Sequence, residues 1–264
     1  MKTIELNGNT IRYEAKDGGA GKPWVTLSHS LCCDLTMWDE LAVALEPSFS
    51  VLRYDTRGHG GSSVPPGAYS FEQLTSDALG LLDALHIART HFVGLSMGGM
   101  IAQHLALAAP QRMAKLVIAN SSSRIPPEAG PLWDERIAIV RAQGCAGVVD
   151  GTLGRWFTPG FRDAHPEVMA RIGALIAGTP ADGYAGCAAA IRGLDITAKI
   201  GAISAPTLVI VGADDPGTPL SMAREIHENA PGSKLAILPQ AAHLANLEQP
   251  AAFTQALREF LRAN

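Results

Sequence analysis

Residues 91–98 read His-Phe-Val-Gly-Leu-Ser-Met-Gly, and a second apolar stretch runs on from Met100 to Ala109. A short apolar run, a glycine-bracketed serine and a longer apolar run describe a strand that turns sharply into a helix. Gly94 and Gly98 stand two residues to either side of Ser96, and Gly99 adds clearance. Only glycine leaves room where strand and helix pass so closely, and the turn forces its central residue into a strained conformation. Such a turn can be mere packing. In the strand-to-helix context it reads instead as a G-x-S-x-G elbow that presents a reactive hydroxyl at the foot of a helix.

The rest of the chain fits around that turn. Strand-like runs at 25–28, 51–54, 91–93, 116–119, 207–211 and 235–238 alternate with helix-like runs at 37–45, 71–86, 97–109, 220–229 and 251–261. That alternation predicts an α/β fold with a mostly parallel sheet covered on both faces. An antiparallel hairpin is expected to open it, formed by 4–6 and 10–14 around Asn7-Gly8-Asn9. Between Ala119 and Thr207 the alternation lapses for far longer than an ordinary crossover, in a stretch rich in alanine. We therefore expect a core domain of residues 1–123 and 197–264 carrying a helical cap over 124–196.

A serine hydroxyl is a weak nucleophile at neutral pH and needs a base and an acid to orient that base, in the order Ser, Asp, His. The run 205–211 leads into Gly-Ala-Asp214-Asp215-Pro-Gly-Thr-Pro, and either carboxylate suits the end of a strand. The run Leu235–Leu238 leads into Pro-Gln-Ala-Ala-His243, which makes His243 the expected base. His86, His91, His104, His165 and His227 sit in or beside helices and strand starts. His29 and His59 follow strands and are expected to order loops, and Asp55 precedes the elbow and so falls outside the chain order. The oxyanion formed on attack needs two donors. Met97 N–H, at the positive end of the helix, is one; Leu31 N–H, in the loop after the run Trp24–Ser28, is the best candidate for the other.

Composition agrees with such an enzyme. With 264 residues, 47% hydrophobic and 17% charged, the chain can bury one large core, and a net charge of −4 gives no footprint for nucleic acid. The first eight residues hold no apolar signal core, and no run spans a bilayer, so no membrane partner and a cytoplasmic location are expected. Cys32 and Cys33 are adjacent while Cys145 and Cys187 stand alone, a spacing that suits no zinc site and points to small hydrophobic filling. The chemistry calls for no metal and no cofactor. Within the cap, Trp133, Arg136, Arg155, Trp156, Phe157, Arg162, Tyr184 and Arg192 are candidates for substrate contact, with packing and solvated charge as the alternatives. Trp133 and Arg136 lead because they share a helix face at i, i+3.

Several stretches together resemble the α/β-hydrolases, and more narrowly the 3-oxoadipate enol-lactonases. They are 34–39 (Asp-Leu-Thr-Met-Trp-Asp), 52–60 (Leu-Arg-Tyr-Asp-Thr-Arg-Gly-His-Gly), 94–99, the cap pieces 133–137 and 155–159, Thr179-Pro180 with Gly183-Tyr184, and Ala242-His243-Leu244. The elbow and the 55–60 loop belong to the superfamily at large; the cap pieces are the specific part. The resemblance implies Ser96 as nucleophile, His243 as base and Asp215, rather than Asp214, as acid. It also implies an anionic lactone substrate whose free carboxylate would meet a cap arginine such as Arg136. Where enol-lactonases tend to carry Asn-Ser-Leu-Gly, this chain has His29-Ser30-Leu31-Cys32, and an arginine-aspartate pair of the cap is replaced by Arg192-Gly193. A general carboxylesterase, a cofactor-free haloperoxidase or perhydrolase, and a non-enzymatic ligand receptor are the alternatives on the same fold.

Overall fold

The computed structural model describes residues 1–6 and 8–263. An eight-stranded sheet in the order β1-β2-β4-β3-β5-β6-β7-β8 forms its centre. The strands are β1 (Lys2–Leu6), β2 (Asn9–Lys16), β3 (Trp24–Ser28), β4 (Ser50–Tyr54), β5 (Thr90–Leu95), β6 (Met113–Ala119), β7 (Thr207–Gly212) and β8 (Lys234–Leu238). β1 and β2 pair antiparallel, as does β2 with β4; every later pair is parallel. Of the expected hairpin turn, Asn7 lies outside the described residues, and Gly8 takes a φ of +78°.

All residues of β5 and β7 are buried, as expected for parallel strands sandwiched between helices, whereas the edge strand β8 exposes Lys234 and Ile237. The covering helices are α1 (Asp39–Leu45), α2 (Phe71–Ala84), α3 (Met97–Ala108) and, after β6, α4 (Gly130–Gln143), α5 (Val149–Trp156), α6 (Pro159–Ala164), α7 (Pro166–Gly178) and α8 (Ala181–Arg192). α9 (Leu220–Asn229), α10 (Ala245–Glu248) and α11 (Pro250–Arg262) complete the chain. Two boundaries differ from the sequence pattern. The helix expected from Met37 starts instead as a 3-10 turn over Leu35–Trp38, because Asp34 accepts the Thr36 N–H and tightens the entry. The helix expected to reach His86 ends at Ala84, where the chain reverses and His86 takes a φ of +55°.

Two features of this topology position a site. β3 lies between β4 and β5, so the chain leaves it toward one side and returns on the other, opening a crevice at the strands' C-terminal ends. Between β6 and β7 no strand interrupts the run of helices α4–α8, and its two ends are stitched together. Arg124 and Asp195 face each other as an isolated antiparallel backbone bridge, in which Ile196 N–H donates to Ser123 O at 2.9 Å and Ile125 N–H donates to Leu194 O at 2.9 Å. Among the described residues no helix is long and apolar enough to cross a membrane.

Candidate active site

Ser96 joins β5 to α3 with φ 56° and ψ −116°, a conformation ordinary side chains avoid. It is held there by its N–H to Ala119 O at 2.9 Å and by the Ser121 hydroxyl donating to Ser96 O at 2.8 Å. The flanking glycines are required by space. A Cβ on Gly94 would overlap Gly98 O, one on Gly98 would overlap Ser28 O, and one on Gly99 would stand 2.7 Å from Ser121 Cβ. The elbow is thus wedged between β3, β5 and β6.

β7 and β8 bring the other two groups. Asp215 is buried beyond β7 and its Oδ2 meets His243 Nδ1 at 2.8 Å, while Asp214 is exposed and touches the His243 loop only through its backbone N–H. The Asp215 carboxylate collects an unusual number of donors. Gly217 N–H (2.8 Å) and Thr218 N–H (3.0 Å) reach Oδ1; the Thr218 hydroxyl (2.6 Å) and Asn120 Nδ2 (2.9 Å) reach Oδ2. Burial alone would raise this carboxyl, yet His243 and these donors hold it down at about 2. An ionised carboxylate only accepts, so the imidazole proton is assigned to Nδ1 and Nε2 is left as a free acceptor. Sequence reasoning missed Asn120 and Thr218. Asn120 directly follows β6 at a φ of +43°, which asparagine tolerates better than most residues, and Thr218 sits in the turn-rich loop already singled out.

Ser96 and His243 line one cavity of about 320 Å³ together with Leu31 and Cys32 of the loop after β3. That loop is ordered by the two buried histidines. His59 Nε2 accepts the Cys32 N–H at 3.1 Å, and His29 Nε2 accepts the Thr56 N–H at 2.9 Å while its Nδ1 donates to Ser30 O at 2.7 Å. Burial keeps both rings neutral, pushing His59 down to about 3 with His29 adding to the effect. Cys32 takes a φ of +60°, the left-handed region that favours glycine, and a glycine is what the resembling sequences tend to have there. Met97 opens α3, so its N–H has no acceptor within the helix.

The helices α4, α5 and α8 form the roof. Trp133, Arg136, Arg155, Trp156 and Tyr184 line the cavity; Phe157, Arg162 and Arg192 do not. Phe157 is buried against Phe161, and Arg192 is tied at the surface to Asp134 at 2.7 Å, so packing and charge pairing use them up. Trp156 stacks on His243 with ring centroids 6.0 Å apart, and the Arg136 guanidinium lies 5.2 Å from the Trp133 ring centre. Arg155 reaches the Thr152 hydroxyl at 3.2 Å. Burial lowers both arginines, Arg155 further through the charge of Arg136. Among the described residues neither forms an ion pair, so the roof brings an uncompensated pair of cations to the cavity.

Known proteins carry the same arrangement of strands. A 3-oxoadipate enol-lactonase of Acinetobacter baylyi is 37% identical over 98% of this chain and 96% of its own. A putative carbamate hydrolase of Agrobacterium fabrum is 30% identical over 92% of this chain and 94% of its own. The crystal structure of an enol-lactonase from Burkholderia xenovorans LB400 superposes with a TM-score of 0.95 at 38% identity, covering 99% of this chain and 100% of that one. The model of the alpha/beta hydrolase family matches residues 25–256. Because that match runs from β3 past β8 and takes in the elbow, the acid loop and the histidine loop at once, the chain belongs to the alpha/beta hydrolase family.

Proposed function

We propose that this protein is a serine hydrolase that opens a carboxylic ester or lactone through an acyl-enzyme, with 3-oxoadipate enol-lactone as its substrate. The observation that carries the reading is the Asp215–His243 pair on the wall of the cavity that Ser96 also lines. His243 Nε2 takes the Ser96 Oγ proton as Oγ attacks the acyl carbon. The carbonyl oxygen becomes an oxyanion, held by the N–H groups of Leu31 and Met97. As the oxyanion collapses, the C–O bond to the leaving oxygen breaks and His243 returns its proton to that oxygen. In an enol-lactone the leaving oxygen is an enol still tethered to the acyl group. Its tautomerisation to the ketone makes reclosure unfavourable. Water, deprotonated by His243, then releases the acid and restores Ser96.

Helices α4–α8 act in this proposal as a cap over 124–196 that selects the substrate. Two half-buried arginines without a carboxylate partner are costly unless an anion joins them, and the free carboxylate of the lactone supplies one. The names of the enol-lactonase relatives support the same substrate. A hydrolysis screen that sets enol-lactones carrying a carboxylate beside neutral p-nitrophenyl esters tests it. We expect higher kcat/KM on the anionic lactone, and an equal or greater rate on neutral esters would favour a general carboxylesterase instead.

A further inference from the structure

Of the buried acidic side chains that the mechanism does not use, Asp34, Asp55 and Asp77 are paired with arginines, and one is not. Glu248, the last residue of α10, is 6% exposed and among the described residues pairs with no cation. Its Oε1 accepts the backbone N–H of Thr158 at 2.8 Å and the Thr158 hydroxyl at 2.8 Å, and its Oε2 accepts the N–H of Ala242. Those donors come from places far apart in the chain. Ala242 immediately precedes His243, while Thr158 caps α6 just after Trp156 and Phe157. A second tie runs beside the first, Leu244 N–H donating to Trp156 O at 3.2 Å. The residues before and after His243 are therefore fastened to the residues two after and immediately at Trp156, whose ring stacks on the imidazole.

We propose that Glu248 is a positioning residue: its carboxylate locks the His243 loop to the end of α5, so that imidazole and roof keep one fixed relation to Ser96. The role rests on the reading of His243 as the base. Three donors converge on two oxygens, and only a carboxylate presents acceptors to all of them. A glutamine would turn an N–H₂ toward one donor and leave it unsatisfied, although its size and shape are the same. Misplacing a catalytic group by about 1 Å is enough to lower turnover by roughly 100-fold.

Glu248→Gln, made in the full chain, tests this with a small neutral ester that has no need of the arginines. The expected result is a folded protein by circular dichroism whose kcat falls about 10- to 100-fold with KM within about twofold. Inactivation by a fluorophosphonate, which reads the reactivity of Ser96 directly, should slow in proportion. A folded Glu248→Gln protein with wild-type kcat and wild-type inactivation rate overturns the proposal, whatever its melting temperature. Should that variant fail to fold, Thr158→Val, which removes one donor on the roof side, decides instead: a smaller loss in both readouts supports the lock, and no loss overturns it. His243→Ala runs in the same assay. If it is inactive while Glu248→Gln is not, the lock alone fails; if it is active, the reading of the base fails and the lock with it.

Discussion

The two walls of the cavity are built by opposite rules. Its floor, at the sheet edge, is buried, holds the Asp215 carboxylate by hydrogen bonds to both oxygens and is wedged by backbone contacts around Ser96 and Asp215. Its roof is uneven. Of α8, the stretch Gly183–Ala188 is buried, and Gly183 packs so closely on Gly58 that a Cβ would overlap the Gly58 carbonyl. Of α4, only Val140 is buried and Leu132 is 46% exposed. Under the proposed function, chemistry that must hit one geometry is placed on the more tightly packed wall, while the side chains that would meet the variable part of a substrate sit on the more open one.

The comparison breaks if the floor proves tolerant. Ser96→Ala and His243→Ala should each lower kcat by on the order of a millionfold on any ester, with the double variant little worse, because the groups act as a unit. Single-turnover rates measure this, and additive losses would separate the two residues. Asp215→Asn should lower kcat by about ten-thousandfold, since the imidazole then loses the acceptor that fixes its proton on Nδ1. Asp214→Asn, exposed and facing away, should change kcat little; the reverse ranking would move the acid by one residue.

Roof variants should act on some substrates and not others. Arg136→Ala is expected to weaken transition-state binding of a carboxylate-bearing lactone by about 1.5–3 kcal/mol while leaving a neutral ester of similar size nearly unchanged. Equal losses on both would make Arg136 a strut of the roof instead. Within the roof, Gly183→Ala should destabilise the fold by about 1–3 kcal/mol through overpacking, against about 0.5 kcal/mol or less for Leu132→Ala, as read from urea midpoints.

Acid should reach the floor first. His59 titrates near 6.5 when unfolded but is held down to about 3 in the fold, so its contribution to stability is complete above about 6.5 and drains as pH falls toward 3. The expected loss is about 1.4 kcal/mol per pH unit in that window. Urea unfolding at pH 7 and pH 5 checks it, with His59→Gln showing a shallower slope. An unchanged slope would mean that other groups carry the acid sensitivity.

Local pattern made the floor legible. The elbow announces itself because close packing restricts three positions to glycine, and the strands ending at Ser28, Leu95 and Gly212 are short apolar runs bounded by turn residues. What escaped were contacts between distant segments. Asn120 beneath Asp215 and Glu248 between Ala242 and Thr158 are polar residues whose partners lie far off in sequence, and no periodicity marks them. The roof was legible only as an excess of helix. Phe157, Arg162 and Arg192 resemble Trp156, Arg155 and Arg136 in type, and only the turn of each helix decides which of them meets the cavity.

The stitched ends at Ser123–Ile125 and Leu194–Ile196 make the whole roof, in topological terms, a single surface loop. It leaves and re-enters the core through a doorway one residue pair wide. Nothing between those residues sets the register of β6 on β7, and doubling the length of a flexible loop costs only about 0.6 kcal/mol in closure entropy. Roof segments outside the ties at Trp156–Thr158 and the close packing of Gly183 can therefore be lengthened, shortened or exchanged without disturbing the floor, so that new substrates are met while the same reaction is kept.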